Sequence, residues 1–207
     1  EHCAEVVNAL RTAGYSVLVP NPFYRSAPAP QFKDFEDWRA NGGRQKVGPW
    51  MQQNRPAAVA DTTKAVAAWL DQQASVDTAK GIGVQGYCMS GPWTIIGAAA
   101  VPGRIKAAAS FHGGGLVGDA PNSPDKLLAQ SRAQHLIATA KNDDAQNPTH
   151  KDVLKAAAQA ANRPAEIERV HGGSRRVALK TPGLTSPTAA AARRAGTARA
   201  AHARRRT

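Results

Sequence analysis

The chain predicts an α/β fold, with a mostly parallel sheet flanked by helices. Three observations carry that expectation. β-like apolar runs alternate with one-sided helical runs from residue 4 to residue 170, and strands separated by helices are joined by crossovers into a parallel sheet. At 207 residues and 42% hydrophobic, the chain can build one buried core, and no apolar stretch nears the ~20 residues of a membrane span. The net charge of +12 is uneven: residues 171–207 hold eight Arg and one Lys without an acidic residue, leaving 18 basic against 15 acidic residues before them. Two parts are therefore expected, a core over residues 1–170 and a basic, Ala/Arg-rich tail over 171–207 with almost nothing to bury and a disordered composition.

Taken in order, residues 4–13 place Val6, Val7 and Leu10 on one side with Gly14 as a cap, which predicts a helix. "YSVLVPNPFY" predicts a buried strand, and Arg25 to Asn54, rich in Pro, Gly and charge, an irregular connection anchored by Trp38 and Trp50. "ADTTKAVAAWLDQQ" predicts a helix with Val66, Trp69 and Leu70 on one face. "GIGVQG" is a short strand running into Cys88, followed by an Ala-rich helix. "RIKAAASF" and "QHLIATA" are strands separated by the loop "HGGGLVGDAPNSP"; "PTHKDVLKAAAQAAN" is a helix and "AEIERV" a last strand. In such sheets ligands meet the loops at the carboxyl ends of the strands, where Cys88, His112 and Asp143 fall.

Cys3 and Cys88 are the only cysteines, too few for a disulfide framework, which fits a reducing cytoplasm. "GYCMSG", Gly86 to Gly91, stands at a strand-to-helix junction, the position of a nucleophile elbow. Small residues flank a nucleophile there because the turn is tight and the helix passes close to its neighbours. The helix N-terminus turns its dipole toward the sulfur, and the backbone N–H after the nucleophile can donate to an oxyanion. A buried packing cysteine would be written in the same way, and Met89 also reads as core filler.

On "AGYSVLVPNPFYRSAP", "GYCMSG", "AAASFHGGGL" and "LIATAKNDD", in that order and spacing, the chain resembles the dienelactone hydrolase family from about His2 to Val170. The resemblance implies an α/β-hydrolase-type sheet, incomplete at both ends of this chain. It also implies hydrolysis of a small-molecule ester or lactone without metal or organic cofactor. By that resemblance Cys88 is the nucleophile, and the acid is Asp143 or Asp144, which the counts from the strand end and from Pro148 respectively favour. Arg25 matches the arginine that captures a substrate carboxylate, a task suited to a guanidinium, though a surface arginine beside a Pro-rich loop reads the same. Tyr87, Met89 and His112 complete the expected substrate side. The general base of this fold follows the last strand, which points to His171 and away from His112, His135 and His150.

Two departures qualify the resemblance. Relatives have strands ahead of the opening helix, and the loop after one of them supplies a second oxyanion donor, whose loss costs on the order of 10²–10³ in rate. Relatives also continue from the last strand into a sequence like Ala-Ala-His-Gly and a closing helix, whereas this chain reads "ERVHGGSRRVALKTPGLTSP". If His-Gly-Gly-Ser-Arg were encoded as CAC GGC GGC TCA CGG, a one-base shift would read Thr-Ala-Ala-His-Gly at that point. The competing readings are an impaired fragment or pseudoenzyme of the same fold, and a nucleic-acid-binding protein acting through the basic tail. The last lacks a recognition motif and aromatics for base stacking.

Overall fold

A computed structural model of the chain describes residues 2–170. The expected basic tail and His171 lie outside the described residues. The elements run α1 (His2–Thr12), α2 (Phe35–Ala40), α3 (Gly43–Gln52), α4 (Pro56–Leu70), β1 (Ile82–Tyr87), α5 (Gly91–Ala100), β2 (Ile105–Phe111), α6 (Pro124–Leu127), β3 (Gln134–Ala140), α7 (Lys141–Gln146), α8 (His150–Ala160) and β4 (Ala165–Val170). Short 3-10 turns follow β1 at Cys88–Ser90 and α6 at Leu128–Gln130. The four strands pair in the order β1-β2-β3-β4, each parallel to its neighbour.

Side chains alternate across the sheet, so each strand feeds two cores. On one face Ile137 of β3 and Ile167 of β4 meet Ile95 of α5, Leu128, and Leu154 and Ala158 of α8. The other face gathers Ala109 and Phe111 of β2 with Leu136 and Ala138 of β3, and Tyr87 packs against them. Burial of each large aliphatic side chain contributes about 1.5–3 kcal/mol. Helix α5 is buried at Gly91, Thr94, Ile95, Ile96, Gly97 and Ala98, so it needs small residues where other elements cross it. At Gly97 a Cβ would lie 3.1 Å from the side chain of Thr63, which is how α4 seats on α5.

Three expectations are corrected by the structure. Tyr15–Pro20 forms no strand, and Leu18 and Val19 are 38% and 57% exposed. An apolar run confers propensity, but a strand exists only through a partner's ladder, and among the described residues the sheet ends at β1. Instead the Ser16 hydroxyl donates to the Ser75 carbonyl at 2.9 Å. Within residues 25–54 two helices, α2 and α3, replace the irregular connection. The Asp34 carboxylate caps α2 by accepting the Asp37 N–H at 2.8 Å, and Gly42 at φ 65° supplies the left-handed link to α3. Trp50 and Trp38 do anchor the region, Trp50 against Phe23 and Phe32, and Trp38 stacked on Phe35. On α4 the buried positions are Val59 and Ala67, while Trp69 is half-exposed, because α5 sits on the Val59–Thr63–Ala67 side.

The loop after β2 is closed by its own residues. The Lys126 ammonium donates to the carbonyls of Gly118, Asp119 and Ala120 at 2.8, 2.6 and 3.1 Å. Buried Asp125 accepts from the Ser123 hydroxyl at 2.5 Å, and its own N–H donates to the Leu116 carbonyl at 3.0 Å.

At the amino end of β3, His135 is 2% exposed. The Ser131 hydroxyl accepts the Ala133 N–H at 3.0 Å and shares a hydrogen bond with His135 Nε2 at 2.9 Å. Burial, helped by the charge of Arg163, pushes the imidazole down from 6.5 to about 4. The folded state therefore binds this proton less readily than the unfolded chain. The stability this confers is complete above pH ~6.5 and is lost as pH falls toward and below ~4, by up to about 3 kcal/mol. Urea titrations between pH 7 and pH 4 should show that loss, and His135→Leu should flatten the dependence across the same window.

Candidate active site

The corner between β1 and α5 is a tightly constrained turn. Cys88 follows β1 directly and takes φ 52°, a left-handed conformation that costs a non-glycine residue of order 1–3 kcal/mol. Its side chain is exposed and its thiol free. The Ser90 hydroxyl holds the corner by accepting the Tyr87 N–H at 2.9 Å and donating to the Tyr87 carbonyl at 3.0 Å. The Gly91 N–H returns to the Cys88 carbonyl. A Cβ on Gly86 would lie 2.1 Å from the Ser90 carbonyl oxygen. One on Gly91 would lie 2.5 Å from Gly113 Cα and 2.6 Å from Ser110 Oγ. No side chain fits at either position, so the two glycines are sterically required on both sides of the sulfur.

The next strand supplies the neighbouring residues. Tyr87 is in register with Phe111 and stacks on it, with ring centroids 5.0 Å apart and planes inclined by 17°. Cys88 and His112 are thus the first residues past the same register row. Adjacent strands lie about 4.8 Å apart, so these two positions are neighbours at the carboxyl edge. His112 takes φ 44° and its N–H donates to the Ala138 carbonyl at 2.7 Å. Its ring is half-buried, with its centroid 6.2 Å from that of Tyr87. Gly113 packs on Gly91, with buried Ser110 wedged beside both.

β3 runs two residues beyond the Phe111–Ala138 row before α7 begins at Lys141. Asp143 and Asp144 both stand in the first turn of α7, where carboxylates suit the helix dipole. Their surroundings differ. Asp144 Oδ1 is 2.7 Å from Lys151 Nζ, and its Oδ2 is 3.8 Å from Arg169 Nε. Asp143 accepts a hydrogen bond from its neighbour Asn142 at 2.9 Å.

The structure brings Tyr87, Cys88, Met89 and His112 to adjacent strand ends, with Asp143 and Asp144 on the helix that leaves the next strand. Met89 is half-buried within the turn. Arg25 is exposed. Its guanidinium lies 4.6 Å from the centre of the Tyr24 ring and donates to the Ala58 carbonyl of α4 at 3.2 Å. His135 lies at the opposite, amino-terminal end of the sheet, and His150 opens α8. Sequence reasoning missed the parts played by Ser90, Ser110, Lys151 and Arg169. Ser90 carried a signal as a small polar residue inside the turn motif; the others are ordinary residues of strands and a helix.

Among the described residues no three His, Cys, Asp or Glu side chains are grouped to hold a metal ion, and no helix is long and apolar enough to cross a membrane. A sequence model described as "Dienelactone hydrolase family" matches residues 1–195, running on into the basic segment. A crystal structure of a "Putative Dienelactone Hydrolase" from Klebsiella pneumoniae subsp. pneumoniae MGH 78578 superposes with a TM-score of 0.61 at 24% identity. The alignment covers 81% of this chain and 67% of that one. No curated protein matches. The solved structure speaks for the fold, an α/β-hydrolase-type sheet, and the sequence model speaks for the lineage. This chain belongs to the dienelactone hydrolase family of hydrolases acting on ester bonds.

Proposed function

We propose that the chain opens a carboxylic ester or lactone with Cys88 as nucleophile. The observation that carries this reading is the corner itself: an exposed thiol at φ 52°, at the start of α5, with glycines forced on both sides. A packing cysteine gains nothing from strain or exposure, whereas a nucleophile gains access to a carbonyl from every side of the turn. Sγ gives its proton to the base and adds to the carbonyl carbon, and the oxyanion is met by the Met89 N–H at the beginning of the 3-10 turn. Collapse of the tetrahedral adduct expels the alkoxide, which takes a proton from the base, and leaves a thioester. Water then attacks the thioester, releasing the acid and restoring the thiol.

In this reading the base is a histidine oriented by Asp143, with His171 as the candidate that the chain order favours. Tyr87, Met89 and His112 border the thiol and form the substrate side, and Arg25 offers a guanidinium for a substrate carboxylate. Residues 1–170 are the catalytic core and 171–207 an appended basic segment. A thiol-dependent reaction suits the reducing cytoplasm.

The decisive experiment combines turnover of a small activated ester with thiol alkylation. Cys88→Ala should lower kcat/KM by at least about 10³-fold, and iodoacetamide should abolish wild-type turnover in step with labelling of Cys88. Turnover surviving in the alkylated enzyme would falsify the cysteine mechanism, and labelling without any turnover would favour the impaired-enzyme reading. Gly91→Ala should cost about 1–3 kcal/mol in urea unfolding and reduce kcat more than it changes KM, because its Cβ meets backbone at Gly113.

A further inference from the structure

We infer that Lys151 and Arg169 are positioning residues that clamp Asp144 so that Asp143 is presented as the acid of the triad; this rests on the hydrolase reading above. The first constraint falls on α7. Six residues are too few for a helix to hold its own shape, since the first turn costs more than its hydrogen bonds return. Its register must therefore be imposed from outside, and α7 packs against the ends of β3 and β4.

The Asp144 side chain is 13% exposed and bridges three separate elements. Lys151, in the first turn of α8 and 22% exposed, approaches one carboxylate oxygen at 2.7 Å. Arg169, opposite Thr139 in the β3–β4 register, approaches the other at 3.8 Å. Two cations from elements that do not move with α7 thus fix one carboxylate of its first turn. An ion pair this enclosed loses much if either partner is removed, because the remaining charge keeps its desolvation without compensation.

The consequence falls on the adjacent residue. Consecutive positions on a helix diverge by about 100°, so fixing Asp144 toward α8 and β4 turns Asp143 to a different side. There its polar partner is Asn142, a flexible amide that a histidine N–H can replace. The same clamp neutralises Asp144, so of the two carboxylates Asp143 is the one left to stabilise an imidazolium. The charged groups facing Asp144 are Lys151 from α8 and Arg169 from β4.

The test uses the full chain and two independent readouts. In native-state hydrogen exchange, Lys151→Met should lower protection of amides 143–147 by at least about tenfold while β3 and the body of α8 keep theirs, and Lys151→Arg should restore it. In ester turnover, Lys151→Met and Asp144→Asn should lower kcat about tenfold with KM nearly unchanged. They should also move the acid limb of kcat/KM down by about one pH unit, since a displaced Asp143 no longer favours the imidazolium. Arg169→Met should act in the same direction more weakly, and Asp143→Asn should be the most severe of the set. Unchanged exchange over α7 in Lys151→Met overturns the clamp whatever the activity. Asp144→Asn more damaging than Asp143→Asn overturns the assignment of roles. Loss of the thiol mechanism itself would show in the Cys88→Ala and alkylation arms, leaving the exchange result to decide the clamp.

Discussion

Everything at the carboxyl edge depends on one close approach, that of Gly91 to Gly113. Here the first turn of α5 meets the exit of β2 backbone to backbone, with only the Ser110 hydroxyl alongside. Protein interiors tolerate almost no mismatch at such contacts, so the approach sets the start of α5 against the loop bearing His112 to within a few tenths of an ångström. The strained φ at Cys88 is the price of this geometry, and the Ser90 hydroxyl, satisfying both backbone groups of Tyr87, stops the corner from relaxing.

The rest of the molecule serves that contact. β2 is rich in alanine, which keeps the sheet thin enough for α5 to settle on it, and the glycine at 97 does the same where α4 crosses. The large side chains are displaced to the periphery of α5: Ile95 to the face shared with α8, and Phe111 to the opposite face under Tyr87. Small residues where α5 meets β2 and α4, and large ones on the two sheet faces, give close packing where geometry matters and apolar area where stability matters.

Much of this was legible in the sequence. The four strands, the helices α1, α4, α5 and α8 and the corner at Cys88 all follow from local pattern, because period and turn chemistry are short-range properties. What failed was non-local. "YSVLVP" has the composition of a strand, yet pairing is decided by a neighbour that composition does not name. The helices in residues 25–54 were hidden by Pro and Gly, which mark the caps and links as well as loops. Helical period sets Trp69 on one face with Val66 and Leu70, but a period gives a face and not the identity of the helix that covers it. The choice between Asp143 and Asp144 could not be made by counting, because what distinguishes them is a lysine and an arginine from elements 7 and 25 residues further along the chain.

The Lys126 ammonium bears on how the loop after β2 can move. Three carbonyls of one loop converge on a single cation that belongs to the helix directly after it, so the segment is tied to its own base. A flap that swings needs at least one end without such fastening. This loop is accordingly a fixed wall, its shape set by its own contacts, with no closing movement of its own.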